Sequence, residues 1–301
     1  MQNSSYKTKY PHLLNPGHTA CAGCGLIIAM RHVVDAAGPN TIIVNATGCS
    51  EVTTSQYPTG SYKVPWIHSV FENCASVASG VLAGLKQKGL EDKVNVIAQG
   101  GDGATFDIGT GLLSGMFARQ ENILYVCFDN EGYMNTGYQS SGSTNIGTST
   151  TTSPSGKKST GNDVIKKDML AFALAHKCVY VASATVGNVL DIDVKVKKAL
   201  ELKGPKYIQI LVPCVPGWKT EPMFTIKIAR LAQQSGHYPV VEYINGEITN
   251  VMKVKDTRPK VKEYLEYQRR FKHLFKTEQG KKVIEKLQKI ADENVLKYNL
   301  L

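Results

Sequence analysis

The chain has 301 residues, of which 42% are hydrophobic and 20% charged, and its formal net charge is +10. A chain of this length and composition can bury a large core, which excludes an intrinsically disordered protein. No run approaches the ~18 to 20 apolar residues of a membrane span, and the stretch 1–10 has no apolar signal-peptide core. We therefore expect a cytoplasmic protein without membrane partners.

The positive charge is concentrated near the carboxyl terminus. Residues 252–301 contain 14 Lys and Arg against 7 Asp and Glu, which supplies most of the net charge. A basic protein can be a nucleic-acid binder, but a local excess of this kind indicates two solvated, lysine-rich helices instead. We expect no nucleic-acid partner.

Helices and apolar strands alternate along most of the chain. The pattern predicts helices over 26–37, about 71–88, about 106–119, from 168 onward and about 186–202. Each is followed by an apolar strand, near residues 41, 93, 122, 178 and 207. Such strands indicate an α/β fold whose mostly parallel sheet is covered by helices on both faces, here within residues 1–218.

Residues 219–301 are predicted to form a small C-terminal appendage. The stretch 237–254 is typical of a β-hairpin with Asn245-Gly246 as its turn, and two lysine-rich helices follow.

Ligands of parallel α/β sheets bind beyond the carboxyl ends of the strands, so the loops there are the first candidates for a site. Three of these loops stand out, over 46–52, 99–108 and 129–143. The last continues into 142–161, where 15 of 20 residues are Gly, Ser or Thr. We expect this segment to be mobile unless other residues order it.

Two of the loops carry oxygen ligands. Gly101-Asp102-Gly103 ends one apolar strand, and Asn130, 28 residues after Asp102, follows the next. Such oxygens suit a Mg²⁺ ion that holds a diphosphate, and the glycines let backbone N–H groups approach the phosphates. A dinucleotide site is disfavoured because GGDGATFDIG lacks the G-x-G-x-x-G spacing and has no acidic ribose partner.

The spacing of Asp102 and Asn130 resembles the motif of thiamine-diphosphate enzymes. The resemblance implies thiamine diphosphate and Mg²⁺ as cofactors. It assigns Mg²⁺ to the side chains of Asp102 and Asn130 and to the Gly132 carbonyl, and it places Gly101 and Gly103 beside the diphosphate.

Four of the seven cysteines lie in loops rich in glycine or proline. Cys21 and Cys24 form a C-x-x-C motif before the first helix, Cys49 follows the first strand, and Cys214 follows the last apolar strand of the sheet. Read alone, this set is compatible with an iron–sulfur cluster, with zinc or with a redox dithiol. Cys49 borders the expected cofactor cleft, where a redox cluster would have a chemical purpose. The other three cysteines lie in apolar runs and are predicted core residues: Cys74, Cys127 and Cys178.

Over residues 12–218 the chain resembles the pyruvate:ferredoxin oxidoreductases. The resemblance rests on four motifs, TACAGCG from residue 19, NATGC from 45, GDGATFDIG from 101 and NTGYQSS from 135. It implies that Cys21, Cys24, Cys49 and Cys214 hold one [4Fe-4S] cluster. Where some relatives have a glutamate, this chain has Leu26, which puts one polar cofactor contact in doubt.

The same resemblance implies a function and further site residues. Thr47, Cys49 and Phe71 would contact the cofactor, and Asn135 would be the catalytic residue that faces the substrate carboxylate or the reaction intermediate. The implied reaction converts pyruvate, coenzyme A and oxidised ferredoxin into acetyl-CoA, CO₂ and reduced ferredoxin, reversibly. Branched-chain 2-oxoacids, 2-oxoglutarate and oxalate remain alternative substrates.

The implied enzyme is an anaerobic hetero-oligomer. Its alpha subunit would supply a pyrimidine-binding domain with the activating glutamate, and gamma- and delta-type subunits would carry further Fe–S clusters to ferredoxin. Apart from the resemblance, the basic segment 252–301 could help to steer an acidic ferredoxin by long-range attraction, but two solvated, lysine-rich helices remain the favoured interpretation. Two rival interpretations are a non-redox thiamine-dependent decarboxylase and a zinc-stabilised scaffold.

Overall fold

A computed structural model describes residues 12–56 and 60–301. The stretch 1–10, which we interpreted as lacking a signal peptide, lies outside the described residues. None of the helices in the described part of the chain is long and apolar enough to cross a membrane.

One eight-stranded sheet organises the structure. Its strands are β1 Thr41–Ala46, β2 Trp66–Ser69, β3 Asn95–Gly101, β4 Leu124–Asp129, β5 Tyr180–Thr185, β6 Lys206–Leu211, β7 Val241–Ile244 and β8 Glu247–Val251. They lie in the order β2-β1-β3-β4-β6-β5-β7-β8. The first six are parallel, whereas β7 and β8 form an antiparallel hairpin paired to β5. The predicted α/β fold with a mostly parallel sheet is confirmed.

Ten α-helices connect or cover the strands in the described residues: α1 Gly25–Ala37, α2 Cys49–Val52, α3 Cys74–Gln87, α4 Thr110–Ala118, α5 Met169–Ala175, α6 Val189–Glu201, α7 Val215–Trp218, α8 Thr225–Gln234, α9 Val261–Glu266 and α10 Glu278–Lys297. A π-helical turn, Gly103–Ile108, precedes α4. Two 3₁₀ segments, Pro222–Phe224 and Arg269–Lys276, flank α8 and α9.

Each face of the sheet has its own hydrophobic core, because alternate side chains of a strand point to opposite faces. In β4, Tyr125 and Cys127 pack with residues of α3, α4 and α5. Leu124, Val126 and Phe128 pack with residues of α1 and α6 on the other face. Strands buried on both faces explain why the sequence shows continuous apolar runs rather than alternation. The three cysteines predicted to be core residues, Cys74, Cys127 and Cys178, are buried.

Several element boundaries differ from the sequence prediction. The helix expected from residue 71 begins at Cys74, so Phe71 lies in the preceding loop and not on a helix. The helix expected over 106–119 is divided into the π-helical turn and α4. Several short elements were missed, among them α2, α7, α8 and β2. Strand β2 has only four residues, half of them exposed, and shows no apolar run.

The segment after residue 218 does not form a separate sheet. The predicted hairpin is present, with Asn245 and Gly246 both at positive φ, and β7 extends the main sheet beside β5. Residues of α9 and α10 share a third core cluster with Ile146 and Trp218 from the earlier part of the chain. The C-terminal segment is therefore packed into the same body as the first 218 residues.

The Gly/Ser/Thr-rich segment 142–161 is ordered by contacts with its surroundings. The Asn162 amide donates to the carbonyl oxygens of Thr144 and Val164, both at 2.9 Å. The Ser149 N–H donates to the Arg270 carbonyl at 3.0 Å. These bonds satisfy backbone groups that a polar loop would otherwise leave to water.

We predict that Asn162→Ala lowers the free energy of unfolding by about 1–3 kcal/mol, because two carbonyl oxygens lose their donors. Limited proteolysis should then cut faster between residues 142 and 161. The control is Lys157→Ala at an exposed position of the same segment, with an expected change below about 0.5 kcal/mol. Equal effects of the two variants on denaturant unfolding would contradict this role of Asn162.

Candidate cofactor and iron–sulfur site

A cleft lies at the carboxyl ends of β1, β3 and β4. The residues predicted to contact the cofactor or act in catalysis all line it: Thr47, Cys49, Phe71, Gly101, Asp102, Gly103, Asn130, Gly132 and Asn135. They come from four chain segments, which the parallel strand arrangement brings to one edge. Leu26, where some relatives have a glutamate, also lines the cleft and gives that wall an apolar surface.

Three oxygen-bearing groups converge at the base of this cleft. One terminal atom of the Asn130 amide lies 2.9 Å from Asp102 Oδ1 and 2.8 Å from the Gly132 carbonyl oxygen. When this atom is the amide nitrogen, it donates to both oxygens and all three groups are satisfied without an ion. When the amide is turned so that its oxygen is there, the three oxygens can ligate a cation. Octahedral Mg²⁺ with ligands at ~2.0 to 2.1 Å separates adjacent ligand oxygens by about 2.9 Å, so this set fits the ion.

The Asp102 carboxylate is fully buried. Burial raises its pKa well above the usual range, and the negative charge of Asp129 raises it further. A hydrogen bond from the Ser141 hydroxyl and the charge of Lys166 act in the opposite direction. A divalent cation in the cleft would stabilise the ionised carboxylate, because an opposite charge nearby favours the charged form.

Gly103 allows an aromatic ring to close one side of the cleft. A Cβ atom at this position would lie 2.4 Å from the ring of Tyr133, closer than any real contact. Tyr133 donates a hydrogen bond to Asp107 at 3.1 Å and packs against Phe71 with ring centroids 5.8 Å apart. The glycine is therefore required by the packing of Tyr133 as well as by any approach of a diphosphate.

The four loop cysteines come from three chain segments near the same edge. Cys21 and Cys24 precede α1, and the Gly25 N–H donates to the carbonyl of Pro213 at 3.1 Å, which joins this loop to the one carrying Cys214. Cys49 is the first residue of α2 and lines the cleft. The four thiols lie close enough to influence one another's ionisation.

Burial raises the pKa of three of these thiols, Cys24, Cys49 and Cys214. It raises the pKa of Cys49 to about 11 and that of Cys214 to about 12. Backbone N–H groups act against burial at two positions, from Gly217 toward Cys214 and from Ile27 and Leu26 toward Cys24. Amide donors of this kind stabilise metal-bound thiolates. The Asn135 side chain lies close enough to the Cys49 thiol to lower its pKa, against the larger effect of burial, so the predicted catalytic residue is a neighbour of a predicted cluster ligand.

No three His, Cys, Asp or Glu side chains within residues 12–56 and 60–301 are spaced to ligate a single metal ion. The cysteines accordingly show no compact single-ion site of the zinc type. The candidate Mg²⁺ site consists of one carboxylate, one amide and one backbone carbonyl. Only the carboxylate belongs to the His, Cys, Asp and Glu side chains considered above.

Other cleft residues were not predicted. Tyr133 and Met134 lie between the predicted positions Gly132 and Asn135 and line the cleft with them. Their place between two predicted site residues could have identified them. Ser141, which hydrogen-bonds Asp102, is the last residue of the NTGYQSS motif. By contrast, Arg270 lies 139 residues from its partner Glu131, and no local pattern signals that contact.

Comparisons with known proteins identify the class to which the chain belongs. Residues 46–210 match the family model "Thiamine pyrophosphate enzyme, C-terminal TPP binding domain". The fold resembles a 2-oxoglutarate:ferredoxin oxidoreductase from Magnetococcus marinus, with a TM-score of 0.59 and 22% identity over 75% of this chain and 81% of that chain. Fold and family match define a thiamine-pyrophosphate-enzyme domain.

Full-length relatives narrow this class. Pyruvate synthase subunit PorB of Methanosarcina barkeri is 50% identical over 98% of this chain and 99% of its own length. The protein of the same name from Methanocaldococcus jannaschii is 49% identical over 92% and 93%. Ketoisovalerate oxidoreductase subunit VorB of Pyrococcus abyssi is 40% identical over 91% and 88%. The chain belongs to the family of pyruvate synthase PorB, the beta subunits of 2-oxoacid:ferredoxin oxidoreductases.

We predict that Gly103→Ala destabilises the chain by about 1–3 kcal/mol, because the added methyl group displaces the Tyr133 ring. Gly111→Ala is the matched control. A Cβ at Gly111 meets nothing within 4 Å, so alanine in α4 should be neutral or stabilise by up to about 1 kcal/mol. Denaturant unfolding of the full chain measures both, and equal stability of the two variants would contradict the packing argument.

Proposed function

We propose that this chain binds thiamine diphosphate, Mg²⁺ and one [4Fe-4S] cluster. In this role it would be the beta subunit of an enzyme that converts pyruvate, coenzyme A and oxidised ferredoxin into acetyl-CoA, CO₂ and reduced ferredoxin, reversibly. The observation that carries the proposal is the position of the Asp102–Asn130–Gly132 oxygen set and of Cys49 in one cleft. The electrons released when the 2-oxoacid is oxidised on the cofactor must pass to the cluster, so the cofactor and the cluster must lie close together.

The chain's own residues would bind and orient the cofactor. Asp102, Asn130 and the Gly132 carbonyl would hold Mg²⁺, which in turn holds the diphosphate, with Gly101 and Gly103 leaving room for backbone approach. When bound, thiamine diphosphate supplies the electron sink for decarboxylation of a 2-oxoacid. Thr47 and Phe71 would contact the cofactor. The hydroxyl of Thr47 is fixed by His68 Nε2 at 2.8 Å, and Phe71 adds an aromatic ring to the cleft lining.

Asn135 would act on the substrate. Its side chain lines the cleft with Cys49 and lies close enough to that thiol to lower its pKa, so it would stand between the proposed cofactor and the proposed cluster. An amide can donate to a carboxylate without changing its own charge. Asn135 would therefore orient the substrate carboxylate or the intermediate beside the electron acceptor.

The thiols of Cys21, Cys24, Cys49 and Cys214 would hold the cluster. A [4Fe-4S] cluster takes one cysteine per iron. Since burial raises the pKa of Cys49 and Cys214, cluster assembly would release their thiol protons.

Partner subunits would complete the enzyme. The residues that line the cleft in the described part of the chain include no glutamate, and we infer that the activating glutamate comes from an alpha subunit. Gamma- and delta-type subunits with further clusters would pass electrons to ferredoxin. The subunit nature of the named relatives supports this assembly.

Pyruvate is the proposed substrate because relatives named pyruvate synthase subunits cover nearly the whole chain at up to 50% identity. A ketoisovalerate enzyme subunit at 40% identity keeps branched-chain 2-oxoacids as the alternative.

We predict that Cys49→Ala abolishes the cluster, because one iron loses its only protein ligand. The wild-type subunit, purified anaerobically with its partners and then isolated, should contain about four iron and four sulfide per chain. The control is Cys178→Ala, which alters a buried core cysteine and should retain both. Zinc in place of iron, or full iron content in the Cys49 variant, would contradict the proposed ligands.

We further predict that the assembled complex reduces ferredoxin with a kcat/KM for pyruvate at least about tenfold above that for 3-methyl-2-oxobutanoate, since extra methyl groups in a fitted pocket have effects of this size. Omission of coenzyme A should stop product formation. The reverse preference would transfer the assignment to the branched-chain enzymes, and decarboxylation without ferredoxin reduction would favour a non-redox thiamine enzyme.

A further inference from the structure

The loop Asp129–Gly132, which carries two of the proposed Mg²⁺ ligands, is contacted by residues from outside the motif regions. We propose that Trp218 and Arg270 are positioning residues that hold this loop in its metal-binding conformation. The inference rests on the proposed function, because it concerns the same Mg²⁺ site. It implies that the C-terminal segment 219–301, through Arg270, helps to shape the cofactor site.

Trp218 fixes the backbone of the ligand Asn130. Its indole Nε1 donates to the Asn130 carbonyl oxygen at 2.7 Å, and the side chain is fully buried. On the other side of the same residue, the Asn130 N–H donates to Asp102 Oδ1 at 3.2 Å. Both peptide groups that flank the Asn130 side chain are therefore anchored, which limits rotation of the loop about this position.

Arg270 neutralises the residue between the two ligands. Its guanidinium lies 2.5 Å from a carboxylate oxygen of Glu131, and both side chains are almost completely buried. The guanidinium also stacks over the Trp218 ring, 4.0 Å from its centre, and is oriented by Gln268. The two positioning residues thus form one unit against the loop.

Glu131 does not face the metal site. It lines a second cavity of about 200 Å³ on the other side of the loop, together with Lys166 and His237, whereas Asn130 and Gly132 line the cofactor cleft. Its backbone has φ +64°, a left-handed conformation that a residue with a side chain adopts at a cost. The ion pair with Arg270 keeps the carboxylate on the far side and supports the turn that directs the neighbouring oxygens into the cleft.

The charges around the loop explain why Arg270 is required. The Lys166 ammonium lies 2.7 Å from Asp129 and 3.4 Å from Glu131, so one cation is shared by two buried carboxylates. Arg270 supplies the second positive charge. Without it, Glu131 would be a buried, incompletely compensated anion, a state that drives local rearrangement or protonation. Rearrangement of Glu131 would displace the backbone between Asn130 and Gly132, because the residue is held at φ +64° within the same turn.

The test uses the assembled complex and two variants, Arg270→Met and Trp218→Phe. Mg²⁺ binding is titrated at saturating thiamine diphosphate, and the melting temperature is recorded with and without both ligands. We expect the apparent Kd for Mg²⁺ to rise about 10- to 100-fold in Arg270→Met, the range typical of groups that orient metal ligands. The increase should be smaller in Trp218→Phe, which removes one hydrogen bond and keeps a ring beneath Arg270. Arg270→Lys, which retains the charge, should recover part of the affinity.

The control is Arg258→Met. Arg258 pairs with Asp292 at 2.7 Å in the same C-terminal segment, away from the loop. The Arg258→Met variant should be less stable than the wild type but should bind Mg²⁺ with unchanged affinity. The ligands should therefore raise its melting temperature as much as they raise that of the wild type. The positioning role would be overturned if folded Arg270→Met bound Mg²⁺ with the wild-type Kd, or if Arg258→Met lost as much Mg²⁺ affinity as Arg270→Met. If Arg270→Met does not fold, a wild-type Mg²⁺ Kd in Trp218→Phe would overturn it. Failure of the wild-type complex to bind Mg²⁺ and thiamine diphosphate would instead refute the proposed function.

Discussion

Parallel pairing of β1, β3, β4 and β6 places the carboxyl ends of four strands at one edge of the sheet. The loops that leave these ends carry Thr47 and Cys49, Asp102, Asn130 and Cys214. Far apart in sequence, they become neighbours because the strands run in the same direction. The oxygen set, the cleft and the cysteine loops all depend on this arrangement. Buried strands make the edge rigid, and a rigid edge suits a site whose ligands need fixed geometry.

Beneath the cleft, the loop after β4 is held by charges that the protein has removed from water. Asp102, Asp129 and Glu131 supply three buried carboxylates, and Lys166 and Arg270 supply two cations. The three carboxylates outnumber the two cations, and a divalent cation at the cleft would supply the positive charge that is lacking beside Asp102. A buried ion pair contributes little net stability compared with apolar packing, so its value here is the specification of one loop conformation.

Much of the site could be predicted from sequence because its residues lie in short motifs at strand ends. Asp102 and Asn130 are each next to an apolar strand, and that adjacency alone placed them at a common edge. The parallel sheet followed from the apolar strands and alternating helices. What could not be predicted depends on contacts between distant segments. Arg270 and Trp218 act through packing against residues far away in the chain, and the ordering of the segment 142–161 depends on Asn162 and on the C-terminal segment. The edge strand β2 was missed because half-exposed strands of four residues have no distinctive pattern.

We propose that one edge of this sheet holds a thiamine cofactor and an iron–sulfur cluster side by side. This arrangement can be tested by anomalous X-ray diffraction at the iron and zinc absorption edges, from anaerobic crystals of the assembled complex grown with Mg²⁺ and thiamine diphosphate. We expect an iron peak enclosed by the sulfur atoms of Cys21, Cys24, Cys49 and Cys214, next to cofactor density that ends in a diphosphate at Asp102, Asn130 and Gly132. A zinc peak among these cysteines, or cofactor density without iron beside it, would refute the proposed arrangement.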